Sequence, residues 1–482
     1  MLAVSQRYES QLHFAAGPAM TLDRRAFTLS RRSALAGLMA SAAAPAFAQA
    51  ARAGVPAWEP EPDIIVAADG TGQFTSIHEA VQSIPKDNRE RKIILIRNGV
   101  YDEVVRVDAA YVTLRGTSRM GTRLQSNRPA DLPRDALGQG VLNISATAHD
   151  FVLETMTVHN TVTAIGPHAF TVFGRADRTI IQNADILSLG ADTLSLWRGI
   201  KGADEAGLSE GPGATPLTAD GGRYYHTGLR VMGSVDFICP RGWCFLSNSE
   251  ITQVNPNTTA AFWHEGMRVE DKKFVIRGCV VDGPPQFYLA RHHRDAQFYF
   301  VDCGFSERMR DQPPYLVVYP LNGGTPTEDD LNRNRLAREE GRWPERHYFH
   351  NSHRKGGDYG WLADNLATAR GAPTPADMTA KWTFAGTWDP ERTDGPVVTG
   401  VQVGPEGLVV TFDRLVTVKG APRLAFGNGV FGACKGGSGT NTLTFDAAGS
   451  VRRAGLDLSQ GLVIGSEAVS VLTPAATALP HG

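Results

Sequence analysis

One short pattern recurs through the middle of the chain: a few apolar residues, a small or polar residue, then a second apolar run. It reads FVLETMTV from Phe151, IIQNADIL from Ile180, FLSNSEIT from Phe245, FVIRGCVV from Phe274 and FYFVDCGF from Phe298. Runs this short, rich in β-branched and aromatic residues, predict a strand, a corner and another strand. The corner residues Thr155, Asn183, Asn248, Gly278 and Asp302 are 28, 65, 30 and 24 positions apart, and 65 fits two periods plus an insertion. A unit too small to bury its own apolar face must stack on copies of itself. The repeat therefore predicts an all-β fold, a right-handed parallel β-helix in which each coil covers its neighbour's edge.

Lys92 to Val107 and Tyr111 to Thr117 read as strand pairs, preceded by a helix from about Ser76 to Ile84 placed to cap the open end of the solenoid. Gly199 to Gly222, rich in Gly, Ala and acidic residues, is expected as a surface loop near the site. From Gly395 the texture changes to short alternating strands, such as LVVTFDRLVTV from Leu408 and NTLTFDAA from Asn441, which predict a small C-terminal β-sandwich joined through Trp388-Asp389-Pro390. The expected division is residues 1–48 as an export signal, 58–390 as the β-helix and 395–482 as the sandwich. No Trp or Tyr follows Trp388, so aromatic platforms for sugar are missing there and a structural role is expected.

The export signal is read from Ser30-Arg31-Arg32-Ser33-Ala34-Leu35, an Ala-rich run and Ala46-Phe47-Ala48 ahead of Gln49, a twin-arginine pattern with a small-residue cleavage site. A membrane anchor needs roughly 18 apolar residues, more than this run offers. Met1 and Met20 both remain possible starts. The expected location is periplasmic or secreted, with no membrane attachment after signal removal. Residues 49–482 carry 43 basic against 48 acidic residues, a net of −5, which argues against a nucleic-acid partner. A monomer without a cofactor is expected. Among the five cysteines, Cys279 and Cys303 occupy matching places in neighbouring repeats, where strands about 4.8 Å apart allow either a disulfide or a buried ladder of free thiols.

Ile64 to Ile84, IIVAADGTGQFTSIHEAVQSI, joins a polar turn to a helix start, and it resembles the opening of the pectin methylesterase family. Val66, Ala67, Asp69, Gly70, Thr71, Gly72, Phe74, Ser76, Ile77 and Ala80 all fall on that family's pattern. Three later segments continue the resemblance in order: GADTLSLW from Gly190, GSVDFIC from Gly233 with Gly222-Arg223-Tyr224-Tyr225 ahead of it, and YLARHHRD from Tyr288.

The resemblance implies an esterase that removes methyl esters from polygalacturonate, the backbone of pectin, and releases methanol. In that mechanism Asp236 is the nucleophile, Asp192 the general acid and base, and Arg291 the cation that holds Asp236 ionised and oriented. Two carboxyl groups on adjacent coils do not both ionise easily, so one stays protonated as the acid. Where the family places oxyanion-binding glutamines, this chain has Ala191, which carries no donor, and His168, which carries one. His292-His293 replace the family's Pro-Trp. His292 and Trp197 are the candidate substrate contacts, with Trp263 and His264 as further options for a sugar platform. His347, His350 and His353 lack matching Cys or carboxylate spacing, and no metal is expected. Two rival readings are a pectin-binding β-helix with lost or weak turnover, and an esterase for another esterified uronate.

Overall fold

The computed structural model describes residues 62–465, apart from 130–136, 200–220, 258, 267–268, 322, 344, 392–395, 397, 427–429, 448–454 and 458–460. The expected export signal and most of the Gly199 to Gly222 insertion lie outside the described residues. Among the described residues, no helix is long and apolar enough to cross a membrane.

The repeats wind into a parallel β-helix of three sheets with 10, 8 and 9 strands, and in each sheet the neighbours follow chain order. The first sheet runs from Ile64–Val66 to Arg346–His350, the second from Val105–Val107 to Tyr315–Leu316, and the third from Gly99–Asp102 to His353–Arg354. One residue per coil stacks at each inward position. In the third sheet Leu124, Val158, Ile186, Val231, Ile251, Val281 and Phe305 form such a column through successive parallel pairings, and all are buried. Burying each such side chain stabilises the fold by roughly 1.5–3 kcal/mol relative to leaving it in water.

The corner residues of the repeat form a column of their own. Thr155, Asn183, Asn248 and Asp302 have φ between 47° and 58°, and Gly278 has φ 62°. Asn and Asp tolerate this left-handed conformation, and glycine adopts it freely. At each of these corners the backbone N–H donates to a carbonyl of the following coil, as in Asn183 to Thr227 (3.0 Å), Asn248 to Arg277 (3.0 Å) and Asp302 to His350 (3.0 Å). The wide gap between Asn183 and Asn248 is filled by the coil that starts with Gly222–Thr227, whose corner is Gly228 with φ 62°.

The N-terminal helix spans Ile77–Gln82, with Ser76 accepting from the Glu79 N–H at 3.1 Å. The Glu103 carboxylate accepts from the Ile77 and His78 N–H groups at 2.7 and 3.1 Å, placing an anion at the helix's positive end. Ile77, Ala80 and Val81 pack into the solenoid core. Cys279 and Cys303 are free and buried, with their thiols donating to the Leu246 and Ile276 carbonyls of the preceding coils. The free-thiol ladder is the arrangement found.

The first sheet's outer face is covered by the chain after the last coil. Leu366, Ala369, Met378, Ala380, Phe384 and Trp388 pack over Val152, Ile180, Tyr225, Phe245, Val275 and Tyr299. The C-terminal strands, from Val398–Gly404 to Gly461–Gly465, pair antiparallel around a separate core that includes Leu408, Val410, Phe412, Leu443 and Phe445. They also bond to the first coil: Lys419 Nζ lies 2.6 Å from Asp63 Oδ1, and the Arg91 N–H donates to Thr417 Oγ1 at 3.3 Å.

Candidate active site

The second sheet carries the candidate site residues. Leu194 pairs with Ile238 and Ile238 with Phe262, a register that stacks Asp192, Asp236 and Ala260 on consecutive coils. The Asp192 N–H donates to Val235 O at 2.9 Å and the Asp236 N–H to Ala260 O at 2.8 Å, so backbone bonds fix both coils. Both aspartates are left-handed, with φ 56° and 46°. Two carboxyl groups thus face one strip of the solenoid a single coil apart.

Next to them, Ser195, Cys239, Trp263, Arg291 and Tyr315 form a row through paired positions of adjacent strands. Arg291 grips Asp236 in a fork: Nε donates to Oδ1 at 2.8 Å and Nη2 to Oδ2 at 2.8 Å. This geometry suits a planar guanidinium and fixes the carboxylate's orientation. Burial is the largest influence on Asp236. Together with the Asp192 charge it outweighs Arg291 and His168, and the carboxyl is pushed up to about 6. Burial works against the Arg291 cation as well, but the Asp236 charge and hydrogen bonds raise it further above its ordinary value. Arg291 therefore orients Asp236 without bringing it below the ordinary carboxylate range.

His168 pairs with Ala191 across adjacent coils, so the two positions where a glutamine amide was expected are neighbours in space. Its Nε2 lies 3.4 Å from Asp192 Oδ2, and the side chain is 39% exposed. Trp197 stands at the edge of the same strip. Its Nε1 donates to Cys239 Sγ at 3.2 Å, its ring meets Phe170 and Phe173 edge-on, and the Arg241 guanidinium lies 4.4 Å from its ring centroid.

His292 does not join the site. Successive residues of a strand point to opposite faces, and with Arg291 outward His292 turns into the solenoid, 0% exposed. Its Nδ1 contacts Arg294 O at 2.6 Å, and burial lowers the ring to about 4. It cannot touch a substrate from there. His264 is equally buried, with Nε2 2.9 Å from Gly242 O. Trp263 does lie in the site row, with Arg291 5.6 Å from its ring centroid.

His347 is turned inward against His292, whereas His350 and His353 pair with Asp364 and Asp358 at 3.1 and 2.8 Å. Among the described residues no group of His, Cys, Asp and Glu is arranged to hold a metal ion. The sequence reading named His293 only as part of the His292-His293 pair and passed over Glu265 and Tyr319; the three form a hydrogen-bonded set beside Arg291. Their signal was positional only: His293 is two residues beyond Arg291 and so returns to the outer face.

The pectinesterase family model matches residues 63–197. A pectinesterase of Petunia integrifolia is 25% identical over 234 residues, covering 47% of this chain and 56% of that protein. A pectinesterase/pectinesterase inhibitor of Ficus pumila var. awkeotsang is 30% identical over 133 residues, covering 26% and 23%. The chain thus spans little more than half, or less, of the length of these curated relatives. Among solved structures, pectin methylesterase PemA from Erwinia chrysanthemi has 17% identity and a TM-score of 0.49, over 68% of this chain and 98% of that one. With the family model matched across its opening coils, the chain is similar to pectinesterases over residues 63–197.

Proposed function

We propose that the protein is a carbohydrate esterase that hydrolyses the methyl esters of polygalacturonate by a two-aspartate mechanism. The observation that supports this best is the in-register stacking of Asp192 on Asp236, with Arg291 forked onto the latter. Ionised Asp236 attacks the ester carbonyl, and the Asp192 carboxylic acid gives its proton to the departing methoxide, which leaves as methanol. The resulting anhydride joins the uronate to Asp236. Asp192, now a carboxylate, takes a proton from water as the water oxygen attacks. Collapse restores the Asp236 carboxylate and releases the free uronic acid, which ionises in solution. His168, whose Nε2 lies 3.4 Å from Asp192 Oδ2, supplies a side-chain donor for the developing oxyanion.

Export to the periplasm or beyond, read from the twin-arginine pattern, fits a polymeric substrate outside the cell. Ala191, which offers no donor, favours one competing reading, a pectin-binding solenoid with little turnover. Methanol release from highly methylated pectin separates the two: the esterase reading expects multiple turnovers, and their absence with pectin still bound would establish the competitor. Within the esterase reading, His168→Ala should lower kcat by about 10²-fold, as loss of an oxyanion donor typically does. An unchanged kcat would take His168 out of the mechanism.

A further inference from the structure

Beyond Arg291 the outer face of the second sheet carries a group that the proposed reaction does not use. Arg241 pairs with Glu265, and the next coil continues the same row at His293. His293 Nδ1 is 3.1 Å from Glu265 Oε1, and Nε2 is 2.5 Å from Tyr319 Oη. Glu265 is fully buried. A carboxylate has no hydrogen to give, so it accepts from Nδ1–H, and Nε2 shares the second hydrogen bond with the Tyr319 hydroxyl. Tyr319 is itself held: the Asn334 side chain accepts from its N–H and donates to its carbonyl, both at 2.8 Å. The His293 ring is therefore fixed at both nitrogens, with its further partner anchored to the helix Glu328–Glu340.

The fixed ring meets Trp263 edge-on at 4.2 Å between centroids, and Arg291 lies over the Trp263 ring. Contact runs without a break from Glu265 and Tyr319 through His293 and Trp263 to the guanidinium that grips Asp236. We infer that His293 is a positioning residue: pinned between Glu265 and Tyr319, it braces Trp263 so that Arg291 keeps its fork on Asp236. This rests on the esterase reading only in making Asp236 the nucleophile. It assigns His293 a task different from that of a sugar platform, because both its ring nitrogens and one ring edge are engaged within the protein.

The test follows Asp236 directly. In the full chain, NMR of labelled aspartate carboxyls gives the Asp236 ionisation, and kinetics on methylated pectin give kcat and KM. Loosening Arg291 removes support for the carboxylate form, so His293→Ala should raise the Asp236 midpoint by roughly half to one pH unit and lower kcat about tenfold, with KM within about twofold. Tyr319→Phe, which keeps the ring and loses only the hydroxyl, should shift the midpoint the same way by a smaller amount, and it carries the test if His293→Ala does not fold. An unmoved Asp236 midpoint in a folded variant, or a rise in KM alone, would overturn the inference. If the wild-type protein releases no methanol, the esterase reading fails, while the NMR titration still decides the role of His293.

Discussion

The outer faces of the first and second sheets are built on the same coils, yet they are used in opposite ways. Outward positions of the first sheet are Val152, Ile180, Tyr225, Phe245, Val275 and Tyr299, sealed beneath residues 366–388. Outward positions of the second sheet are Cys239, Trp263, Arg291 and Tyr315 in one row and Arg241, Glu265 and His293 in the next. One face gains stability from apolar burial. The other holds charges out of water and needs a partner for each of them. In a solenoid, then, the composition of an outward row tells whether that face is a seam or a site.

The sharpest way to break this contrast is Asp236→Asn. Asparagine adopts the left-handed backbone found at this position as readily as aspartate, so the fold should be kept while methanol release falls by at least about 10³-fold. A folded variant retaining more than a tenth of wild-type turnover would move the chemistry elsewhere. Phe384→Ala tests the opposite face: the side chain is 1% exposed and packs on Trp388, and its loss should cost about 3–5 kcal/mol in denaturant unfolding with kcat per folded molecule unchanged. Altered kcat in that variant would mean that the two faces are coupled.

The acid limb of the pH–rate profile sharpens the comparison further. Burial raises Asp236 to about 6, and in the proposed mechanism its ionised form attacks, so kcat/KM should rise roughly tenfold per unit below that value and level off above it. A limb near the ordinary carboxylate value would show that Arg291, and not burial, dominates. The same shift has a consequence for stability. A carboxyl raised in the folded state contributes stability fully at pH below its unfolded value of 3.8, and that contribution fades as pH rises through about 6.

Much of the solenoid was legible because its period shows in five segments with a polar or small corner. The coil of Gly222–Thr227 showed only as a doubled spacing, because its strand carries His226 and Thr227 ahead of the corner and the apolar signature is diluted. Asp192, Asp236 and Arg291 stood in motifs, and coil register brought them together. His292 was misplaced although strand alternation alone would have turned it inward once Arg291 was taken as outward. The Glu265, His293 and Tyr319 set was out of reach, since 28 and 26 residues separate its members and only the stacking of coils joins them.

The bonds between the C-terminal strands and the first coil bear on the order in which the molecule can be completed. Each coil can dock on the one before it as the chain grows, but Arg91 and Asp63 meet their partners Thr417 and Lys419 only 326 and 356 residues later. Closure entropy rises slowly with length, about 0.6 kcal/mol per doubling, so the delay costs time more than stability. Asp63 also accepts from the Ile93 N–H at 2.8 Å. Lys419→Ala should therefore quicken deuterium exchange at Ile93 by a fewfold and leave the Asp192 and Asp236 coils untouched; equal exchange at Ile93 would mean that the first coil closes unaided. A solenoid that starts folding at one end would thus be fastened at that same end by its last strands.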